Sequence, residues 1–254
     1  MGYYKSNALY GYITSRNLQQ FKFVVGEAWQ LIYGNNACEP LVLIFAVGVP
    51  DAEIENAPST IEVEAFNLLR IAATNANLPV RYIRFASDVD EVVNVRVSDS
   101  TFVYSTLSMK ELQALFASFG LPVSNTHTAK YLNDATSSAF HKWQRSGLGA
   151  ALTVSDIDLW RLNDAGNPEI VFELKRSIYD LPGWKPFTDD YRNFMLISNL
   201  CNSCGLQFKI IYNQRIKDPF TDKIDKLKIF SLDFSKNPPI TEDGIIMLEE
   251  LENL

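Results

Sequence analysis

Cysteine is scarce in this chain of 254 residues: Cys38, Cys201 and Cys204 are the full complement. Three thiols cannot close an even disulfide framework, and so few suit a reducing compartment. Cys201 and Cys204 have metal-ligand spacing, but no second pair exists and only Cys38, His127 and His141 remain to complete a zinc set. They read as buried thiols at a helix end. Positive charge is also short, with 23 Lys and Arg against 30 Asp and Glu, for a net charge of −7. That balance excludes a basic coat for nucleic acid. A bound polyanion would have to be met by a local basic groove or through a cation. The longest apolar run, Leu41 to Val49, is about half of what a helix needs to cross a bilayer, and it reads as a buried strand. The first residues lack a signal-peptide core. Gly2 and Ser6 match a myristoylation pattern that the bulky Tyr3 and Tyr4 do not support. A soluble, cytoplasmic protein is expected.

Several catalytic signatures are missing too. There is no P-loop and no Gly-x-Ser-x-Gly elbow. Ser146 to Leu152 approaches a dinucleotide fingerprint, but Leu152 stands where the third glycine belongs, and a strand-like stretch follows where a helix is required.

What the chain does contain is a mixture of helical and strand periodicities. Phe21 to Val25 is β-rich and Trp29 to Tyr33 reads as helical. Leu41 to Val49 is a strand, and Thr60 to Asn75 repeats apolar residues at helical spacing. Val80 to Ala86 and Glu91 to Val97 are strands, with Phe102 to Tyr104 a candidate third. Ser108 and Glu111 form a capping box opening a helix that stops at Gly120. A helix capped by Asn133 or Thr136 then runs to Arg145. Ala150 to Leu162 and Glu169 to Lys175 are strands joined through the turn-rich Asn163 to Pro168, hence an antiparallel hairpin. A helix over Thr188 to Asn202, strands at Leu206 to Asn213 and Lys226 to Phe234, and a helix at Ile245 to Leu251 complete the chain. The order predicts an α/β (α+β) fold, a mixed central sheet flanked by helices. The expected division is an N-terminal α/β region over 1–125, shaping substrate recognition or dimerisation, and a core over 126–254.

The hairpin carries the chemistry. Side chains alternate along a strand, so Val171, Glu173 and Lys175 share one face and Phe172 and Leu174 the other. Asp156 and Asp158 likewise share a face of their strand. Two carboxylates and an ammonium can therefore converge at one end of the sheet. Such charges among apolar residues cost several kcal/mol unless they are paired or bind a cation. Mg2+ meets that cost with a few carboxylate and carbonyl oxygens and waters, and it lowers the pKa of a bound water. A lysine beside it can orient or deprotonate the attacking water.

With Asp158 on an apolar strand and Glu173-Leu174-Lys175 ending a second strand fifteen residues on, this region resembles the PD-(D/E)xK nuclease superfamily. The resemblance covers roughly residues 133 to 213, and Ser155 or Ile157 stands where the family name has proline. It implies a restriction-endonuclease-like core. It also implies Asp158 and Glu173 as Mg2+ ligands (Mn2+ substituting), with the Leu174 carbonyl as a third and Asp156 as the alternative to Asp158. Lys175 would position or activate the water that attacks a phosphodiester. Arg176, Lys185, Arg192, Lys142 and Arg145 are candidate phosphate contacts, and Tyr191 and Asn193 candidate supports on the next helix. Ser137, His141 and Gln144 lie on the preceding one. Some members of the family add an acidic ligand from the preceding helix, which here offers only the poorly placed Asp134; Glu27, Glu62 and Glu64 are the other candidates, and nothing in the sequence selects one. The resemblance implies a Mg2+-dependent endonuclease acting on DNA, in restriction or phage defence, as a homodimer by analogy. The alternatives are an RNA endonuclease and an inactive nucleic-acid-binding module of the same fold.

Overall fold

The computed structural model describes residues 7–124 and 138–254. In chain order the elements are helix α1 (Ala8–Ser15), strands β1 (Phe21–Lys22), β2 (Ala28–Gly34) and β3 (Pro40–Val49), and helix α2 (Thr60–Asn75). Strands β4 (Val80–Ala86), β5 (Asn94–Ser98) and β6 (Ser105–Ser108) follow, then helices α3 (Met109–Ser118) and α4 (Ala139–Gly147). The remainder is β7 (Thr153–Asp156), β8 (Leu159–Leu162), β9 (Pro168–Ser177), α5 (Tyr191–Cys204), β10 (Gln207–Lys217), β11 (Phe220–Leu232) and β12 (Ile240–Met247). This is a mixed α and β protein with two six-stranded sheets. Among the described residues no helix is long and apolar enough to cross a membrane.

The chain divides into two compact units. One comprises the described residues up to Phe23 together with Ile157–Leu254, and the other is Val24–Asp156. The second is thus an insertion between two strands of the first. The contact division falls after Phe23 and after Asp156, whereas the sequence places one boundary at 125/126. The reason is a long-range pairing that no local pattern announces: Phe21 and Lys22 of β1 lie against Arg161 and Trp160 of β8.

The inserted unit orders its sheet β6-β5-β4-β3-β2-β7, with β3 and β4 parallel and the other neighbours antiparallel. Its helices begin where side chains can satisfy orphan backbone donors. Ser59 with Glu62 and Ser108 with Glu111 form complete capping boxes, and Ser138 caps α4. The proposed caps Asn133 and Thr136 lie outside the described residues. Trp29 to Tyr33, expected as helix, belongs to β2, because pairing with β3 and β7 on either side decides the conformation of an apolar β-rich segment.

The first unit orders its sheet β1-β8-β9-β10-β11-β12, all antiparallel except β9 and β10. Along the chain this unit reads helix, three strands, helix, strand and then a hairpin. The parallel pair β9/β10 is joined through α5, as a parallel connection requires. Strand alternation sends Ile170, Phe172 and Leu174 into a core with Leu9 and Ile13 of α1, Phe21, Leu159, Ile211, Leu227 and Ile229. A fully buried Leu, Ile or Phe side chain stabilises by about 1.5–3 kcal/mol, so this face fixes the register of β9. Ile245 to Leu251, expected as a helix, is instead the end of β12 and a 3-10 turn over Leu248–Asn253, because β11 offers an edge for Ile240–Met247 to pair with.

Candidate active site

The register of β8 against β9 builds the site. Leu159 pairs with Phe172 and Trp160 with Val171, so one step further along Asp158 lies across from Glu173. There β8 ends and the Asp158 side chain takes over from the ladder: its Oδ2 accepts a hydrogen bond from the Leu174 backbone N–H at 2.8 Å. In a strand a residue's N–H and C=O point to the same neighbour, so the Leu174 carbonyl faces the side on which Asp158 sits. The backbone carbonyl of Asp158 accepts a bond from the Tyr10 hydroxyl at 3.2 Å, which ties this strand end to α1.

On the other face of β9, opposite the apolar Phe172 and Leu174, stand Glu173 and Lys175. Glu173 is only 8% exposed. Its Oε1 lies 2.8 Å from the Lys175 Nζ, which also lies 3.4 Å from Asp190 Oδ2 and 5.3 Å from the centre of the Phe194 ring. Burial works against the lysine's charge. The fields of Glu173, Asp190 and Asp158 and the hydrogen bond that Lys175 donates to Glu173 outweigh it and hold the ammonium above the ordinary lysine range. Lys175 in this arrangement favours its charged form and is able to orient water or counter phosphate charge. The structure thus brings Asp158, Glu173, Leu174 and Lys175 to one end of the β8/β9 pair.

The other expected residues fare differently. Asp156 ends β7 and lies across from Leu31 in the other sheet, because the chain changes sheets at Ile157. It does not share a strand with Asp158. Arg176 donates to Asp222 Oδ2 at 2.8 Å, and Arg215 Nε donates to Oδ1 of the same carboxylate at 2.8 Å. Asp222 also accepts from the Ala8 N–H. Arg176 is thereby committed to a buried structural cluster. Lys142 and Arg145 lie on α4, in the inserted unit. His141 is engaged there with Ser138, its Nδ1 2.9 Å from the hydroxyl, and Gln144 is on the same helix. Glu27, Glu62 and Glu64 also belong to the inserted unit, where Glu62 completes the cap of α2. Ser137, Asp134, Gly2 and Ser6 lie outside the described residues.

Lys185, Tyr191, Arg192 and Asn193 occupy the segment from β9 into α5. That segment is pinned from beneath. The Tyr212 hydroxyl donates to the Tyr179 carbonyl at 2.6 Å, and the Trp184 ring stacks on Tyr212 at 4.0 Å. Lys228, with no exposed surface, donates to the carbonyls of Pro182 and Trp184 at 3.0 Å each and pairs with Glu242. Lys185 and Tyr191 line a pocket of about 280 Å³ together with Pro186, Phe230, Ile240 and Glu242. Asp190, absent from the sequence-derived set, is the residue that geometry adds. Cys201 and Cys204 sit at the end of α5 as buried or half-buried thiols, the Cys204 Sγ donating to the Leu200 carbonyl at 3.0 Å.

Asp158, Glu173 and the Leu174 carbonyl are oxygen donors of the kind that a hard divalent ion such as Mg2+ takes, with water completing its shell. Among the described residues no group of three or more His, Cys, Asp and Glu is gathered that could hold a metal ion.

No protein-family model matches this chain, and no curated protein matches it. Among solved structures, it is similar to a sex pheromone staph-cAM373 precursor at 6% identity and a TM-score of 0.22, over 94% of this chain and 89% of that one. A sex pheromone precursor from Lactobacillus salivarius gives 10% identity and a TM-score of 0.18, over 81% of this chain and 63% of that one. At these scores neither likeness bears on fold or function.

Proposed function

We propose that this protein is a Mg2+-dependent endonuclease of the PD-(D/E)xK type that hydrolyses phosphodiester bonds in DNA. The observation that carries the reading is the meeting of Asp158, Glu173 and Lys175 at one end of the β8/β9 hairpin. The unit's order of helix, three strands, helix and strand supports it, as does the burial of Glu173 beside a lysine held charged. Asp158, Glu173 and the Leu174 carbonyl would hold the ion, which when bound lowers the pKa of water and steadies negative charge at phosphorus.

The residues themselves do the rest. Asp158 is aligned by the Leu174 N–H, so one carboxylate oxygen is fixed and the group is oriented before any ligand arrives. Lys175, charged and only partly exposed, orients the attacking water and counters charge on the phosphate oxygens as the leaving oxygen departs. Lys185 and Arg192 on the pinned segment contribute phosphate contacts, and the apolar face of β9 keeps the strand, and therefore the site, in register. With Arg176 committed to Asp222, the basic surface serving this unit is smaller than the sequence suggests, and the divalent ion carries more of the work of meeting a polyanion. Homodimerisation and action in defence against foreign DNA are part of the proposal by analogy alone.

Purified protein incubated with duplex DNA, single strands and RNA, with Mg2+ or with EDTA, tests it. Cleavage of duplex DNA that requires the metal and falls by at least about a hundredfold in Lys175→Ala and Asp158→Ala is expected. Cleavage of RNA alone transfers the site to that substrate. Binding without cleavage by the wild type contradicts the enzyme and leaves a binding module.

A further inference from the structure

Asp190 ends a 3-10 turn over Thr188–Asp190 that runs straight into α5, so its backbone is already helical and its side chain makes no cap. Its carboxylate is turned to the Lys175 Nζ, 3.4 Å away, and the same ammonium lies 2.8 Å from Glu173 Oε1. Lys175 thus has two carboxylate partners of different exposure: Glu173, 8% exposed and a candidate metal ligand, and Asp190, more open.

This arrangement resolves a conflict built into the site. Glu173 cannot give its oxygens fully to a cation and also remain the sole partner of Lys175. A partly buried ammonium left without a counter-ion is costly and swings toward water. We propose that Asp190 is a positioning residue that takes over Lys175 when Glu173 turns to a divalent ion. It keeps the ammonium in place beneath the Phe194 ring while the metal site fills. The inference rests on the metal-binding reading of Asp158 and Glu173 and adds to it the device that makes metal and lysine compatible.

The test is a metal-binding measurement on the full chain, made without substrate. Mn2+ is titrated and followed by electron paramagnetic resonance, with circular dichroism on each variant. Wild type is expected to bind one Mn2+ that Glu173→Gln removes. Asp190→Asn should weaken it about tenfold, the usual penalty for losing a partner that orients a ligand. In a Lys175→Gln background Asp190→Asn should then change affinity by less than about twofold, since its effect runs through the lysine. Asp190→Glu, which keeps the carboxylate, should restore most of the affinity. An equal loss from Asp190→Asn in both backgrounds overturns the handover, because a through-space field needs no lysine. Mn2+ binding that depends on Glu173 and ignores Asp190 overturns the handover and leaves the metal site standing. Failure of wild type to bind Mn2+ overturns both.

Discussion

Lys175 shows how much a single side chain's role depends on its neighbours. From spacing alone it is a lysine two residues after a glutamate, free to act as base or cation. Packed between Glu173 and Asp190 it is a cation, its charge favoured over the ordinary lysine value near 10.5. A folded-state value above the unfolded one contributes stability in full below pH 10.5 and loses it as pH rises beyond. Lys175→Met should therefore show its difference in stability from wild type at neutral pH and a shrinking difference in strong alkali, measured by urea unfolding. Asp222 runs the other way. Burial opposes its charge, but Arg215, the Ala8 N–H and Arg176 outweigh burial and hold it below the usual carboxylate range. Its contribution is present above pH 3.8 and lost as pH falls through the lower folded value. Asp222→Asn should leave two partly buried guanidinium groups short of charge, lowering stability by about 3–5 kcal/mol at neutral pH and by less in acid. Arg176, expected as a phosphate contact, would then report on folding first: Arg176→Ala should lower Tm. Cys204, whose thiol burial pushes up to about 11, should react with iodoacetamide far more slowly at pH 8 than a free thiol does.

At the scale of elements, β9 holds the site in place. Its alternation was legible in the sequence, because Val171, Glu173 and Lys175 differ in character from Phe172 and Leu174, and strand geometry turns that difference into two faces. The hairpin with the segment ending at Leu162 was legible too, through the turn at Asn163 to Pro168. What local pattern could not show is that Ala150 to Leu162 is two strands in two sheets. Ser155 and Leu159 are both buried, but one faces β2 of the inserted unit and the other faces β9. Asp156 and Asp158 look equivalent until that change of sheet separates them. Asp190 was illegible for the opposite reason, since it falls within the expected helix over Thr188 to Asn202 and nothing local says that its carboxylate points to Lys175. Because β9 is locked by its apolar face, Phe172→Ala should lower stability by about 3–5 kcal/mol. On the proposed reading it should also weaken Mn2+ binding by loosening the strand that carries Glu173, and calorimetry beside Mn2+ titration checks both.

At the scale of the whole molecule, the chain is one unit interrupted by another, each with its own apolar core. Composition and periodicity gave the class, mixed α and β, without the interruption, because β1 and β8 pair across more than a hundred residues and sequence pattern is blind at that range. Two cores predict that thermal unfolding departs from a single two-state transition, with a van't Hoff enthalpy below the calorimetric one. The proposed function turns on something narrower than this architecture, namely that Asp158, Glu173 and the Leu174 carbonyl hold one divalent ion next to Lys175. Anomalous diffraction from crystals soaked in Mn2+ tests it most directly. A single peak bounded by those three oxygens is the predicted result, and a well-ordered site without one, or a peak held by other residues, would refute this metal site.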